Sequence, residues 1–334
     1  MSDGIVDERR TRDGLIFATG AYVLWGLIPL YFKLLAEVPT LEVLAHRVVW
    51  SVVLLILIVT ARGDWQRVAA TIRRPRVMLT LTVSTTLIAL NWFTYIYAVS
   101  SGQVLQSSLG YFINPLMNVL LGVVVLRERL RRFQVAALVL AGAGVVNLAL
   151  LGNSIPWIAL ILAFSFAVYA LLRKTVDADG LLGLLVETLL LLPLCGGYIA
   201  YRQMTGTGAL GQSSTLDLWL ALSGVATTIP LLLFAAGARR LPMATLGFLQ
   251  YLAPTLQFLL AVVIFREPFS GTQVVSFALI WAAVALYSVE SVWAYRNRMA
   301  AARRPAGPVA KPISVSPAAE AKVSQPQLCP REAP

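Results

Sequence analysis

Charge is what this 334-residue chain has least of. Only 13% of its residues are charged, 58% are hydrophobic, and the mean hydropathy is +0.76. Soluble domains carry roughly a quarter charged residues, so a water-soluble enzyme of this length is excluded. No charge falls between Arg76 and Arg127, a gap of 50 positions, or between Arg132 and Arg173, a gap of 40. Cysteine is nearly as rare. Cys195 in an apolar run and Cys329 near the C-terminal end cannot form a disulfide framework, a zinc site or a redox CxxC. His46 is the only histidine, and neither HExxH nor GxxxxGK[ST] occurs. Metal chemistry, ATP-driven pumping and a cofactor are therefore not expected.

What the chain has instead is apolar runs. A bilayer core about 30 Å thick takes roughly 20 apolar residues per helix, so each long gap holds two spans. Breaks at Ser100–Gly102 and at Gly152-Asn153-Ser154-Ile155-Pro156 divide them. The expected spans are about 14–35, 41–61, 77–99, 102–126, 132–151, 155–174, 180–201, 217–238, 242–266 and 271–293. This predicts an all-α polytopic membrane protein with ten transmembrane helices. The opening MSDGIVDERRTRDG reads as a short soluble lead into an uncleaved first helix. With the N-terminus inside, the inner segments hold 20 Lys and Arg, and the outer loops hold only Lys33, Arg202 and Arg266. That asymmetry predicts two cytoplasmic termini. The net charge of +11 then reports topology, not a nucleic-acid partner. Residues 301–334 contain 7 Pro and 8 Ala without apolar periodicity, the composition of a disordered tail.

Shifting the chain against itself by 139 residues aligns Pro115 with Pro254, Arg127-Glu128 with Arg266-Glu267, and Gln134-Val135 with Gln273-Val274. From Pro115 to Val145 there are 12 identities in 31 positions. The same offset carries the fourth helix onto the ninth and the first onto the sixth. Each half thus holds five helices, and an odd number makes the second half enter the membrane in the opposite direction. Two inverted five-helix repeats are a transporter architecture. The expected organisation is a cytoplasmic lead at 1–13, repeats at 14–151 and 152–295, and a cytoplasmic tail at 296–334.

The five-plus-five arrangement looks like the drug/metabolite transporter superfamily and its EamA domains. Within it, four strings resemble the RarD group: Tyr22-Val-Leu-Trp-Gly-Leu-Ile-Pro-Leu-Tyr-Phe-Lys33, Glu42-Val-Leu-Ala-His-Arg47, Asn91-Trp92, and Ser107-Ser-Leu-Gly-Tyr-Phe-Ile-Asn-Pro-Leu116. The resemblance spans about residues 14–293. It implies a permease of the bacterial cytoplasmic membrane, from a group that carries a chloramphenicol-sensitivity label.

The fourth helix carries Gln103, Ser107, Tyr111, Asn114 and Asn118, spaced 4, 4, 3 and 4, which is one stripe of a 3.6-residue helix. Such a stripe cannot face lipid, where each unsatisfied group costs several kcal/mol. It either glues helices together or lines a substrate path. Its length favours the path, as does the repeat, which maps Tyr111 and Asn118 onto Gln250 and Gln257. The third helix adds a thinner stripe through Thr80, Ser84, Asn91 and Tyr95. Tyr95, Tyr111 and Tyr251 are the aromatic path candidates at depth. Pro115 and Pro254 each remove a backbone donor in mid-span, as hinges or as packing kinks.

The second helix gathers Glu42, His46 and Arg47. Glu42 and His46 share a face, Lys33 lies at the same outer surface within reach of Glu42, and Arg47 sits roughly 9 Å deep at 1.5 Å per residue. Two readings stand. Glu42, His46 and Lys33 staple two helices while Arg47 snorkels outward, or Arg47 anchors a carboxylate bidentately and His46 responds to pH. Glu187, about 10 Å into the seventh helix, is a further candidate for proton coupling beside His46 and Glu42, or else a structural partner of Lys174. Ala141-Gly-Ala-Gly144 reads as close helix packing or a homodimer face.

The expected activity is secondary transport, in the outward direction, of a small, partly apolar metabolite or drug, with H+ as coupling ion and membrane lipid as surroundings. An uncoupled uniporter and a lipid-carrier flippase are the alternatives. An intramembrane enzyme is remote, because Glu42, Glu187 and Glu290 lie on different helices and depths.

Overall fold

The computed structural model describes residues 2–127, 131–151, 155–238, 240–241, 245–246 and 249–302, and no strand occurs among them. In chain order the helices are α1 (Ser2–Lys33), α2 (Thr40–Arg62), α3 (Trp65–Ile72), α4 (Pro75–Ser100), α5 (Val104–Leu126) and α6 (Arg132–Leu151). They continue as α7 (Trp157–Thr175), α8 (Gly180–Met204), α9 (Ser214–Ala238), α10 (Leu252–Leu259, continued by a π-helical turn at Leu260–Ile264) and α11 (Gly271–Ala302). Met1–Val292 form one compact unit, and Trp293–Pro334 separate as a second. Glu128, the Gly152-Asn153-Ser154 break and the tail from 303 onward lie outside the described residues.

Eight of these helices are long and apolar enough to cross a membrane, and Trp157–Arg173 and Leu252–Ile264 are apolar but shorter. The chain is a multi-pass helical membrane protein. The expected sixth span, 155–174, is α7 at Trp157–Thr175, and the expected ninth, 242–266, lies partly outside the described residues, which hold Leu252–Ile264 of it as helix. Two differences have local causes. α1 begins at Ser2 instead of near 14, because the lead holds no proline and carries Glu8, Arg9, Arg10 and Arg12, which favour helix. α3 was not expected at all. It is an amphipathic helix in the Arg-rich loop that buries only Val68 and Thr71, too short for a span signal.

Helix ends follow the sequence. Gly63 closes α2 in the left-handed region, φ 68°, where a side chain would be strained. Pro75 opens α4 where its missing N–H has no cost, and Asp179 caps α8 by accepting from the Leu181 N–H at 3.0 Å.

α2 packs on α4, α8 and α9, α5 packs on α7 and α10, and α1 packs on α9 and α10. Small residues set these distances. A Cβ added at Gly224 on α9 would lie 2.4 Å from the Trp50 carbonyl carbon on α2, and one at Gly110 on α5 would lie 2.8 Å from the Ala159 carbonyl oxygen on α7. Amides fasten other pairs. Asn91 donates to the Leu162 carbonyl at 3.1 Å and Ser165 Oγ at 3.0 Å, joining α4 to α7. Asn147 donates to the Thr272 carbonyl and to Ser276 Oγ, joining α6 to α11. Leu79, Leu150 and Leu194 turn outward with about seven-tenths of their area exposed, a surface suited to lipid chains.

Candidate functional site

Contacts between chain ends define two poles of the bundle. At one, Thr40 meets Ser100, Lys33 sits over the Phe265 ring, and Glu267 meets the start of α5. At the other, Arg67 and Arg74 on and after α3 reach Asp179 and Asp177 before α8. They are called here the Lys33 pole and the Arg67 pole.

Residues 42–48 of α2 are buried without interruption, so Arg47 cannot reach water by extending along its own helix. Its guanidinium lies 4.4 Å from the Trp92 ring centroid on α4 and 5.6 Å from that of Phe32 on α1. Only 7% of the residue is exposed, and it makes no ion pair or hydrogen bond among the described residues. The snorkelling arrangement is therefore not the one adopted. The phenols of Tyr31, Tyr95 and Tyr111 are close enough to feel its charge. Tyr31 spends its hydroxyl on the Trp219 carbonyl, whereas the Tyr95 hydroxyl is buried without a partner. Rings continue the wall: Phe32 against Tyr95 at 6.2 Å, Tyr95 against Tyr111 at 5.8 Å, and Tyr111 against Phe166 at 6.4 Å. A buried cation is costly unless it is paired, and ring quadrupoles supply part of that pairing. A guanidinium set among aromatic rings, without an ion-pair partner among the described residues, forms an aromatic chamber of a chemistry that attracts an anionic group attached to a flat apolar body.

The expected stripe on α5 divides. Ser107 is buried and returns its hydroxyl to the Val104 carbonyl, Tyr111 joins the chamber, and Asn114 is buried with Oδ1 unpartnered. Asn118 is exposed. Gln103 lies before the helix and donates to Ser101 Oγ. Across from α5, Gln250 is half-buried. Tyr251 stacks on Phe112 at 6.5 Å, and its hydroxyl has no partner. Gln257 donates to the Trp25 carbonyl at 3.1 Å and leaves Oε1 free. Asn91 is committed to the α4–α7 contact described above.

The acidic candidates are held apart from Arg47. Glu42 accepts from the Ala209 N–H at 2.6 Å and pairs with Arg202 at 3.2 Å. The expected Lys33–Glu42 contact is not made: Lys33 turns instead to the Phe265 ring at 5.7 Å, and the last turn of α8 together with the loop after it takes the carboxylate. His46 is buried with Nε2 unpartnered. Glu187 accepts from Ser84 Oγ at 2.6 Å and from the Tyr169 hydroxyl at 3.2 Å, with Arg173 4.0 Å away. The Lys174 side chain lies outside what is described. Sequence reasoning missed Phe32 and Phe166 in the chamber and Arg202 as the partner of Glu42. Two phenylalanines in an apolar run carry no polar signal, and Arg202 was counted only as a loop charge.

Known proteins agree with this architecture. The EamA-like transporter family matches residues 12–150. Protein RarD of Salmonella typhi is 42% identical over 294 residues, covering 88% of this chain and 100% of that one. The uncharacterized transporter YojE of Bacillus subtilis is 41% identical, covering 86% and 97%. The chloramphenicol-sensitive protein RarD of Pseudomonas aeruginosa is 33% identical, covering 87% and 98%. A crystal structure with 23% identity covers 83% of this chain and 96% of its own with a TM-score of 0.53, a likeness of fold alone. The chain belongs to the RarD group of EamA-type transporters, and is a membrane transporter of the drug/metabolite type, not an enzyme.

Proposed function

We propose that this protein is a secondary transporter, working as an exporter, that carries a small organic anion with an aromatic or apolar body by alternating access between two inverted five-helix repeats. The observation that carries the substrate class is Arg47, buried among Trp92, Phe32 and three tyrosines with no acidic partner among the described residues. A carboxylate of the substrate completes the pair. Asn114, Tyr95, Tyr251 and Gln257, each with a buried polar atom left free, offer it hydrogen bonds. Ser107, Tyr111, Asn91, Asn118 and Gln250 are assigned to the same path on the strength of the stripe and the repeat.

Several features support the inverted repeat with ten crossings. Arg127 and Arg266, 139 residues apart, are the two non-glycine residues with positive φ among the described residues, at 56° and 53°. Gln134 accepts from the Arg131 N–H at 3.0 Å, and Gln273 repeats this with Ser270 at 2.7 Å. Exchanging the halves turns the α5–α7 contact into α10–α1, α4–α7 into α9–α1, and α4–α8 into α9–α2, and all of these pairs pack together. The charge asymmetry of the loops puts both termini in the cytoplasm and the Lys33 pole outside, in a bacterial cytoplasmic membrane.

Proton coupling is assigned to His46, the buried imidazole with a free nitrogen, with Glu42 and Glu187 as secondary candidates. The hydrogen bonds and ion pairs that already engage both carboxylates favour a second reading, an uncoupled uniporter. Uptake of radiolabelled aromatic carboxylates and their neutral amides into proteoliposomes, with and without a pH gradient, tests all of this. Equal transport of acids and amides would remove the anion reading, and indifference to the gradient would select the uniporter.

A further inference from the structure

Glu267 follows directly on the left-handed residue Arg266, just after the π-helical turn that ends α10. Its two carboxylate oxygens accept from the Val104 N–H at 2.7 Å and the Leu105 N–H at 2.8 Å. These are first-turn donors of α5, which have no partner within their own helix. Nothing local replaces Glu267 there: Gln103, next to the helix start, sends its amide to Ser101 and Gln106 sends its own to Gln103. The bond therefore joins the end of one repeat's fourth helix to the beginning of the other's, over 163 residues of chain. Left-handed backbone is disfavoured at a non-glycine residue, and at Arg266 it comes directly before the side chain that reaches α5.

We infer that Glu267 is a positioning residue of the transport cycle: its carboxylate latches α5 to α10 at the Lys33 pole and must release for the path between them to open there. This rests on the alternating-access reading above. α5 carries Ser107, Tyr111 and Asn114, and α10 carries Gln257, so any opening at this pole that separates the two helices breaks the bonds to Val104 and Leu105. Burial raises the Glu267 carboxyl above its ordinary value, opposed by the two N–H groups and by the charge of Lys33. That desolvation offsets part of the hydrogen-bond gain, so the latch holds without locking.

The test needs no substrate, so it stands even if the anion reading at Arg47 fails. In a background with Cys195→Ala and Cys329→Ala, Ser107→Cys reports access from outside intact cells to a membrane-impermeant maleimide. Rates are normalised to Ser214→Cys, an exposed position at the Lys33 pole. Glu267→Ala, which removes both acceptors, is expected to label at least tenfold faster than the Glu267 parent, with Glu267→Gln in between. Equal rates at equal amounts in the membrane would overturn the latch. If the variants do not accumulate, amide hydrogen exchange in the parent decides. Exchange at Val104 and Leu105 in step with reporter labelling supports release, and protection that outlasts complete labelling overturns it. A reporter that stays unlabelled in every protein while Ser214→Cys reacts would count against alternating access itself, and against the latch with it.

Discussion

Arg47→Lys keeps the charge and removes the geometry, which makes it the most informative single change in the chamber. The guanidinium carbon lies 4.4 Å from the Trp92 ring centroid and 5.6 Å from that of Phe32, and the buried Nε has no hydrogen-bond partner among the described residues. Desolvated cation–π contact contributes about 2 kcal/mol, and a lysine ammonium retains some of it. What lysine cannot supply is a planar fork for two parallel bonds to one carboxylate. Losing one charge-assisted hydrogen bond costs about 1.5–3 kcal/mol, and the lower figure corresponds to roughly tenfold in affinity. The assay is initial-rate uptake into proteoliposomes over a concentration series. For aromatic carboxylates, KM is expected to rise about tenfold or more while the neutral amides change little. Identical KM values for the two proteins with every carboxylate tried would refute the reasoning, because a guanidinium that binds substrate cannot be indifferent to losing its shape.

Other outcomes follow from the packing and the proposed orientation. Asn114→Leu is expected to abolish transport at normal yield and Tm, and Asn118→Leu, at an exposed position of the same stripe, to slow it at unchanged Tm; a variant that instead fails to accumulate would make that residue helix–helix glue. Gly224→Val should lower Tm sharply or prevent accumulation, since its Cβ would meet the Trp50 backbone at 2.4 Å, and a normal melting curve would mean that α2 and α9 are not so close. Glu42→Gln strips Arg202 of its acidic partner and is expected to destabilise the fold by about 1–3 kcal/mol, read as a fall in Tm of the purified protein; an unchanged Tm would show that the pair is dispensable. In intact cells Ser270→Cys should react with an impermeant thiol reagent and Arg131→Cys should not, and the opposite pattern would overturn the proposed topology.

Much of the fold was legible because hydrocarbon enforces helix wherever charge is absent. The long gaps between Arg76 and Arg127 and between Arg132 and Arg173 gave α4 with α5 and α6 with α7 to within a few residues. Helix existence came from composition, but helix ends did not: α1 begins at Ser2 and α11 runs to Ala302, each beyond its apolar run, and composition does not register where a helix stops. Polar positions were legible as positions and not as roles. Asn91 and Asn114 look alike in the sequence, yet one is spent on an α4–α7 contact and the other keeps a free oxygen, a distinction that depends on which neighbour faces each. Arg47 showed the same limit, since snorkelling and burial begin from the same residue on the same helix. Phe32 and Trp92 decide between them, and they come from two other helices. Lys33 was within reach of Glu42 along the surface, but Arg202 and the Ala209 N–H, far away in sequence, fill that carboxylate.

The unpaired guanidinium also has an electrical consequence. Under the proposed function, with no acid paired to Arg47 among the described residues, the chamber is positive when empty and neutral when loaded with a monoanion. Any step in which the empty chamber moves through the membrane field then responds to voltage, and the loaded step does not. One elementary charge crossing the whole field exchanges about 2.3 kcal/mol per 100 mV, whereas a chamber that stays at fixed depth while the barriers on either side alternate crosses only a fraction of it. The voltage sensitivity of the return step therefore measures how far Arg47 itself travels, and separates a moving chamber from moving barriers.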